Sequence, residues 1–351
     1  MLLTGQEVVR DGPRRVDAPC ADGATATIRS FRPEDEPAVL AVLGAAFGAW
    51  PRDLEITPER FFDWKHRANP FGPSSLLVAE RDGAVVGFHA YMPWRLTGGG
   101  QTLETVRAVD LAVDPQHRRR GISMALRTTI EYPAGLATMW SNPNDASVPG
   151  ALQLGRKEVR GLSSFLHPCS GLTRTLARFA VGTREAGAAP AVDAGPAAAQ
   201  LTDDALLARL GDGGEPRDGR LATVKDAGYL RWRYGGLPGY HAVALDGPDG
   251  SGLAIFRLRR HGAFWVAVVC ELLLERPSRR LARRLMRRVD QASRADFLAC
   301  NFASRRDAAA CGFFGYRQQE TLTTLKLQEG LRPDPAELTS WALSRGDLEL
   351  L

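Results

Sequence analysis

The run Val109-Asp110-Leu111-Ala112-Val113-Asp114-Pro115-Gln116-His117-Arg118-Arg119-Arg120-Gly121-Ile122-Ser123 concentrates the residues of this chain that could do chemistry. An apolar strand enters a turn, then a basic loop with one glycine, then a helix starting near Ser123. Such a loop aims successive backbone N–H groups and a helix N-terminus at one point, where a phosphate can sit. Gly121 allows close backbone approach, and the small Ser123 does not crowd a ligand. A plain strand–turn–helix with solvated arginines would show the same pattern.

The flanking pattern supplies elements to position that loop. Thr25–Phe31 alternates like a strand, and Pro33-Glu34-Asp35-Glu36 opens a helix to about Phe47, with acids in its first turn. Thr57-Pro58 starts a second helix reaching about Arg67. Leu76–Arg81 and Ala84–Tyr91 read as strands joined by Asp82-Gly83, a hairpin turn. Glu104–Val113 is a strand and Gly121–Glu131 a helix. Leu136–Ser141 is a strand, Asp145–Leu154 a short helix and Arg156–Leu166 a strand.

The chain then repeats itself weakly. Phe62-Asp63-Trp64-Lys65-His66 matches Leu230-Arg231-Trp232-Arg233-Tyr234, each followed by a proline and a strand. Asn144, Ser147, Ala151 and Gly155 fall at the same offsets as Asn301, Ser304, Ala308 and Gly312. Two matches in one order indicate a tandem of similar domains. The expected division is a flexible arm over 1–23, a first domain over 24–167 and an Ala/Pro/Gly-rich linker over 168–200. A second domain over 201–328 and a C-terminal tail over 329–351 complete it.

Composition narrows the partners. With 351 residues, 44% hydrophobic and 24% charged, the chain is globular and long enough for two domains. No apolar run is long enough to span a membrane, and the first residues lack a secretion signal's basic and apolar regions. Five scattered cysteines without metal spacing point to reduced thiols in a cytoplasm, and to no metal site. Only four of 45 basic residues are lysines, and the arginines are interleaved with 40 acids. That is a solvated basic surface, not a nucleic-acid binder, and it suits a polyanionic small ligand.

On these motifs the chain resembles the GNAT superfamily of acyl-CoA-dependent N-acyltransferases. The family's signature is a strand ending in apolar-x-Val, then [Gln/Arg]-x-x-Gly-x-[Gly/Ala] into a helix. Arg118, Gly121 and Ser123 occupy its three fixed positions, with Ser a mild departure. The family's Asn-x-x-Ala-x-x-x-Tyr-x-x-x-Gly pattern matches at Asn144 and Gly155, but Ala151 stands where the Tyr would be. The likeness covers about 25–167, and 201–328 more weakly through the repeat. It implies an α/β fold of two tandem GNAT-like domains, each a mixed, mostly antiparallel sheet flanked by helices.

By the same resemblance, Leu111, Ala112 and Val113 would pair with the pantetheine arm of acetyl-CoA. Arg118, Arg119, Arg120, Gly121, Ile122 and Ser123 would cradle its pyrophosphate, with Asn144 beside the pantetheine or thiol. The implied reaction is direct attack of a small-molecule primary amine on the thioester in a ternary complex, the amine being an amino sugar or specialised metabolite. An aminoacyl or peptide transferase and a non-catalytic acyl-CoA sensor are the alternatives. The proton acceptor would be Asp110 or Glu104, directly or through water; a structural hydrogen bond and a strand-end salt bridge explain the two equally well. Either Tyr132 or water would protonate the thiolate, or the thiolate leaves unprotonated, and in some relatives the C-terminal carboxylate, here Leu351, enters the site. His89, Tyr91 and Trp94 would line the acceptor pocket or the core, and Cys169 reads as bland. In the second domain Glu271 takes the place of Asp110. Its loop, Glu275-Arg276-Pro277-Ser278, is shorter and lacks glycine, so that domain is expected to be degenerate for CoA.

Overall fold

The computed structural model describes residues 15–348 except 53, 131, 133, 181, 183–186, 212–218 and 303–304. In chain order the first half holds β1 (Val16–Pro19), β2 (Thr25–Ser30), α1 (Glu36–Phe47), α2 (Pro58–Phe62), β3 (Ser75–Arg81), β4 (Ala84–Gly98), β5 (Gln101–Val113), α3 (Ile122–Thr128), β6 (Thr138–Ser141), α4 (Val148–Gln153) and β7 (Lys157–Pro168). The helices α5 (Leu172–Ala180), α6 (Ala197–Gln200) and α7 (Asp204–Gly211) lead onward. The second half holds β8 (Ala222–Thr223), α8 (Ala227–Leu230), β9 (Tyr240–Leu245), β10 (Gly252–His261), β11 (Phe264–Leu274), α9 (Arg279–Ser293), β12 (Phe297–Asn301), α10 (Arg305–Ala310), β13 (Phe314–Lys326) and α11 (Arg345–Leu348).

Local chemistry explains many of these boundaries. The Thr57 hydroxyl accepts from the Arg60 N–H and Pro58 takes the first turn, so α2 begins there. Asp82 and Gly83 both have positive φ, 52° and 79°, the conformation a two-residue hairpin needs. Gly99 and Gly100 repeat the device between β4 and β5. The fold is mixed and mostly antiparallel, as the resemblance implies; β5–β6 and β11–β12 are parallel pairs.

Among the described residues thirteen strands form one sheet, ordered β1-β2-β3-β4-β5-β6-β13-β7-β12-β11-β10-β9, with β8 on β4. The order contains an exchange. Strand β13, from the second repeat, pairs with β6 through Thr323↔Ser141 to Lys326↔Thr138. Strand β7, from the first, pairs with β12 through Asn301↔Ser164 to Phe297↔Pro168. Each repeat therefore completes its sheet with the other's last strand, and β7–β13 pairing fuses the halves. The boundary at residue 167 falls in a strand hydrogen-bonded within the other half.

Three segments expected to lack structure have it. Residues 16–19 of the arm form β1 on β2. The linker holds α5 and then an extended run whose Asp193 N–H bonds the Ala292 carbonyl. The tail ends in α11, whose four residues are all buried. The β1 ladder with β2 and polar contacts such as Arg345 with Glu320 and Asp347 with Lys225, none of them visible as a local pattern, hold the first and last of these segments. Ser304, Leu351 and residues 1–14 lie outside the described residues.

The repeats meet at their matched tryptophans. Both α2 and α8 continue as π-helical turns, Asp63–Arg67 and Arg231–Gly235, which turn Trp64 and Trp232 inward. The two indoles stack 4.8 Å apart at 11°. Trp64 Nε1 donates to the Trp232 carbonyl at 2.7 Å and Trp232 Nε1 to the Trp64 carbonyl at 2.8 Å. This reciprocal contact is a local two-fold. Replacing either tryptophan by Ala should cost about 3–5 kcal/mol. The double variant should cost clearly less than the sum, because both changes remove one shared contact. Denaturant titration of the three variants tests this; strict additivity would show that the stack does not couple the halves.

Candidate active site

Strands β5 and β6 pair over only three positions, Thr105↔Thr138 to Arg107↔Trp140, and then part. The cause lies in β5. Val109 pairs with Ala90 and Ala112 with Phe88, so Asp110 and Leu111 face a single residue, His89. The bulge is made by Asp110 adopting φ 52°, a left-handed conformation unusual for a non-glycine residue. From Ala108 onward the β6-facing edge of β5 is unpaired, and a cleft opens between the strands. It is lined by Ala108, Val109, Asp110 and Leu111 on one side and Ser141, Asn142, Pro143 and Asn144 on the other.

Asp110 is held there by one buried cation and two neutral groups, the His66 imidazole and the Trp50 indole. Lys65 Nζ lies 2.9 Å from Oδ1 and 2.8 Å from Oδ2, and His66 Nε2 is 3.2 Å from Oδ2. Trp50 Nε1 donates to Oδ1 at 3.4 Å. Lys65 and His66 are successive residues of the π-helical turn, both buried. Burial alone would raise the Asp110 pKa, but the Lys65 ammonium and then His66 overcome it and hold the carboxyl well below its usual range. Asp110 is thus a carboxylate that stays ionised across the neutral range and a weak proton acceptor.

Glu104 is elsewhere. It pairs with Arg95 at 2.7 Å at the far end of the β4–β5 ladder, about half exposed, and does not line the cleft. The strand-end salt bridge is its role in this fold. Leu111 and Asn144 do line the cleft, and Asn144 Oδ1 accepts from the Ser147 N–H before α4. Ala112, Val113 and the 118–123 turn lie further along, beyond the cleft's lining. In that turn Gly121 has φ 86°, open space where a Cβ would be, and no side chain caps α3. The Ile122 and Ser123 N–H groups therefore have no intrahelical or capping partner, whereas Met124 and Ala125 donate to the Gly121 carbonyl at 3.0 Å. The Arg118 guanidinium donates to the Val113 and Ala46 carbonyls, and Arg120 pairs with Asp22, so both bind the turn to its surroundings.

His89 reaches the cleft, whereas Tyr91 and Trp94 are core residues. Burial, then Arg156 and Arg127, push His89 down to about 3, leaving a neutral imidazole. Ala151 is fully buried, so no phenol stands at that position. Burial raises the Cys169 thiol far above its usual range, consistent with an inert residue. Sequence reasoning missed Lys65, Asn142, Arg127 and Arg156; only Lys65 left a trace, through the repeated Trp-[Lys/Arg] segment.

The second half builds a similar wedge and fills it. Strands β11 and β12 pair only from Val266↔Phe297 to Val268↔Ala299. Glu271 takes the Asp110 place, bonded by Lys225 Nζ at 2.6 Å, Tyr234 Oη at 2.6 Å and Ser344 Oγ at 2.9 Å. The α11 turn packs against it so closely that a Cβ on Gly346 would lie 1.9 Å from Tyr234 Oη. Helix α9 is capped by its own Ser278 hydroxyl, which accepts from the Leu281 N–H at 3.1 Å. The same terminal segment reaches the first cleft, where Asn142 Nδ2 donates to the Leu348 carbonyl at 2.6 Å.

The Asp110 cluster makes a stability prediction. Asp110→Asn should destabilise the fold by about 3–5 kcal/mol at neutral pH, because Lys65 is left buried and unpaired. The folded carboxyl titrates below its unfolded value of about 3.9. Its contribution is therefore complete above that pH and is lost as pH falls through the folded value. Denaturant unfolding of both proteins should show the gap closing below about pH 4. A gap constant down to pH 2 would remove Asp110 from the fold's acid sensitivity.

Residues 27–131, from within β2 to just past α3, match the family described as acetyltransferase (GNAT) domain. Mycothiol acetyltransferase of Streptomyces griseus is 37% identical over 102 residues, which are 28% of this chain and 31% of that protein. The Streptomyces coelicolor protein of that name is 35% identical over 104 residues, 29% of this chain and 31% of its own. The chain thus matches about a third of the length of these curated relatives. Among solved structures, a GCN5-related N-acetyltransferase from Anabaena variabilis superposes with a TM-score of 0.56 at 13% identity, covering 86% of this chain and 73% of that one. Saccharomyces cerevisiae N-myristoyltransferase with bound myristoyl-CoA gives 0.52 at 12% identity, covering 92% and 81%. Residues 27–131 thus match a GNAT acetyltransferase domain in sequence, and over most of its length the chain shares the fold of these solved acyltransferases.

Proposed function

We propose that the protein is an N-acetyltransferase that moves the acetyl group of acetyl-CoA to a primary amine of a small molecule, an amino sugar or specialised metabolite, in a ternary complex. One observation carries this reading: the β5–β6 cleft, opened by the Asp110 bulge, leads toward a glycine turn and an uncapped helix start. The matched family domain and the acetyltransferase names of the curated relatives support it. Leu111, Ala112 and Val113 would offer the unpaired β5 edge to the pantetheine, and Arg118–Ser123 would take the diphosphate on backbone N–H groups. Asn144 would lie beside the thiol end. The second wedge, plugged by α11 and lacking a free helix start, would bind none.

The amine nitrogen attacks the thioester carbonyl, and a backbone N–H of Leu111–Val113 would stabilise the oxyanion. Asp110, being ionised across the neutral range, would orient the acceptor and not take its proton, which would leave to water. Arg127, Arg156 and Lys65 give the cleft more positive than negative charge. That field favours the neutral amine and a departing thiolate, which offsets the missing phenol at Ala151.

A thiol-release screen of an amine panel with acetyl-CoA tests the activity; CoA release with no amine in the panel would favour the sensor reading. Calorimetry should show one acetyl-CoA per chain, and Gly121→Asp, which puts a side chain and a negative charge into the cradle, should abolish binding. Two sites, or an unaffected Gly121 variant, would overturn the assignment.

The pH profile separates the roles of Asp110. As a positioning group it titrates far below the working range, so Asp110→Asn should lower kcat/KM by about 10²-fold at every pH. The acidic limb should stay in place, since it reports the acceptor amine. Loss of that limb in the variant would instead make Asp110 the base.

A further inference from the structure

Two buried guanidinium groups share the cleft with no carboxylate among the described residues to answer them. Arg127, in the last turn of α3, is 8% exposed, and Arg156, immediately before β7, is 4% exposed; both line the cleft beside His89 and Ser147. Arg127 Nη2 donates to the Ser147 carbonyl at 3.2 Å, while its Nε is buried without a partner. The Arg156 side chain meets the phenols of Tyr91 and Tyr132, which burial keeps protonated. Among the described residues no carboxylate lies within ion-pair distance of either arginine.

A buried charge is costly unless it is paired. Burial, and then Arg156, hold Arg127 below the ordinary arginine value. Elsewhere in the cleft the charges cancel, because Lys65 and Asp110 pair with each other and His89 is neutral. Two positive charges are left over. The diphosphate of acetyl-CoA does not account for them if it sits on the 118–123 turn. Arg127 lies five residues beyond Ile122, about 7.5 Å further along α3.

We propose that Arg127 and Arg156 form an oxyanion subsite, taking a carboxylate or phosphate carried by one of the two substrates. A forked guanidinium pair is suited to such a group. The proposal rests on the acyl-CoA reading of the cleft and names its substrates more closely. Either the acyl chain ends in an anionic group, as in the monothioester of a dicarboxylic acid, or the acceptor amine bears one. In both cases the N–C bond forms as the C–S bond breaks, and the ammonium proton passes to water while CoA leaves as thiolate.

Two arms distinguish the sources. In the donor arm, calorimetry compares succinyl-CoA with acetyl-CoA. In the acceptor arm, kcat/KM with acetyl-CoA compares glucosamine 6-phosphate with glucosamine, and an α-amino acid with its decarboxylated amine. A preference of at least tenfold for the anionic partner is expected in one arm. Arg127→Met or Arg156→Met should bring that ratio toward one, and Arg127→Lys, which keeps the charge in a variant less disruptive to folding, should reduce it only partly. Ratios within twofold in both arms of the wild type would overturn the proposal. So would variants that weaken acetyl-CoA, CoA and succinyl-CoA equally, since the arginines would then serve CoA itself. A wild type that binds no acyl-CoA would overturn the cleft reading first and this proposal with it. Binding without discrimination would overturn this proposal alone.

Discussion

A carboxylate in left-handed backbone holds the cleft open. Asp110 occupies a conformation that costs a non-glycine residue about 1–2 kcal/mol. It persists because Lys65, His66 and Trp50 fix its side chain from one side of the sheet. Two of these partners, Lys65 and His66, come from one π-helical turn, a feature often found at functional sites. A regular helix would rotate later residues by about 100° each and aim Lys65 and His66 differently. Helix α2, the bulge and the parting of β5 from β6 are therefore one construction. Removing the charge at its centre would weaken all three.

The second half shows the same construction put to another use. Its π-helical turn delivers Arg233 and Tyr234, and its carboxylate is Glu271, bound by Tyr234 and Lys225. The parting strands there receive α11 of the same chain, with Asp347 beside Lys225 at 3.3 Å. A wedge between parallel strands has unpaired edges that must be met by something. In the second half the chain's own terminal turn meets them. In the first half no described strand pairs with that edge beyond Arg107. The terminal turn also supports Asn142 and Arg107 across the dyad, so the filled wedge helps to shape the open one.

Much of this was legible in the sequence because it is local. Asp82-Gly83, Thr57-Pro58 and the acids after Pro33 each act on neighbours within four residues, and the elements they announced are present. The paired Trp-[Lys/Arg] segments announced the repeat, and Gly121 the turn. What stayed hidden is non-local. The exchange of β7 and β13 leaves every strand's own pattern unchanged, since either partner buries the same faces. Arg127 and Arg156 look like any of the chain's many arginines until the fold turns them inward. Asp110 read as a proton acceptor because the residue that disables it, Lys65, is 45 positions away.

Charge in the cleft links these findings to chemistry. Transfer to an amine needs a neutral nucleophile and a leaving group that can carry negative charge. In the family's usual arrangement a phenol serves the leaving group, yet Ala151 is buried here and offers nothing. The cleft holds a lysine cancelled by Asp110 and two arginines cancelled by nothing among the described residues. A field of that sign lowers the pKa of an amine entering it and stabilises a thiolate leaving it. The same field would oppose an acceptor that brought only positive charge. An acceptor or acyl group with its own anion would seat on the arginines and reduce the field. On the proposed reading, the chemistry and the specificity of the cleft would thus depend on the same two side chains, and they pull in opposite directions.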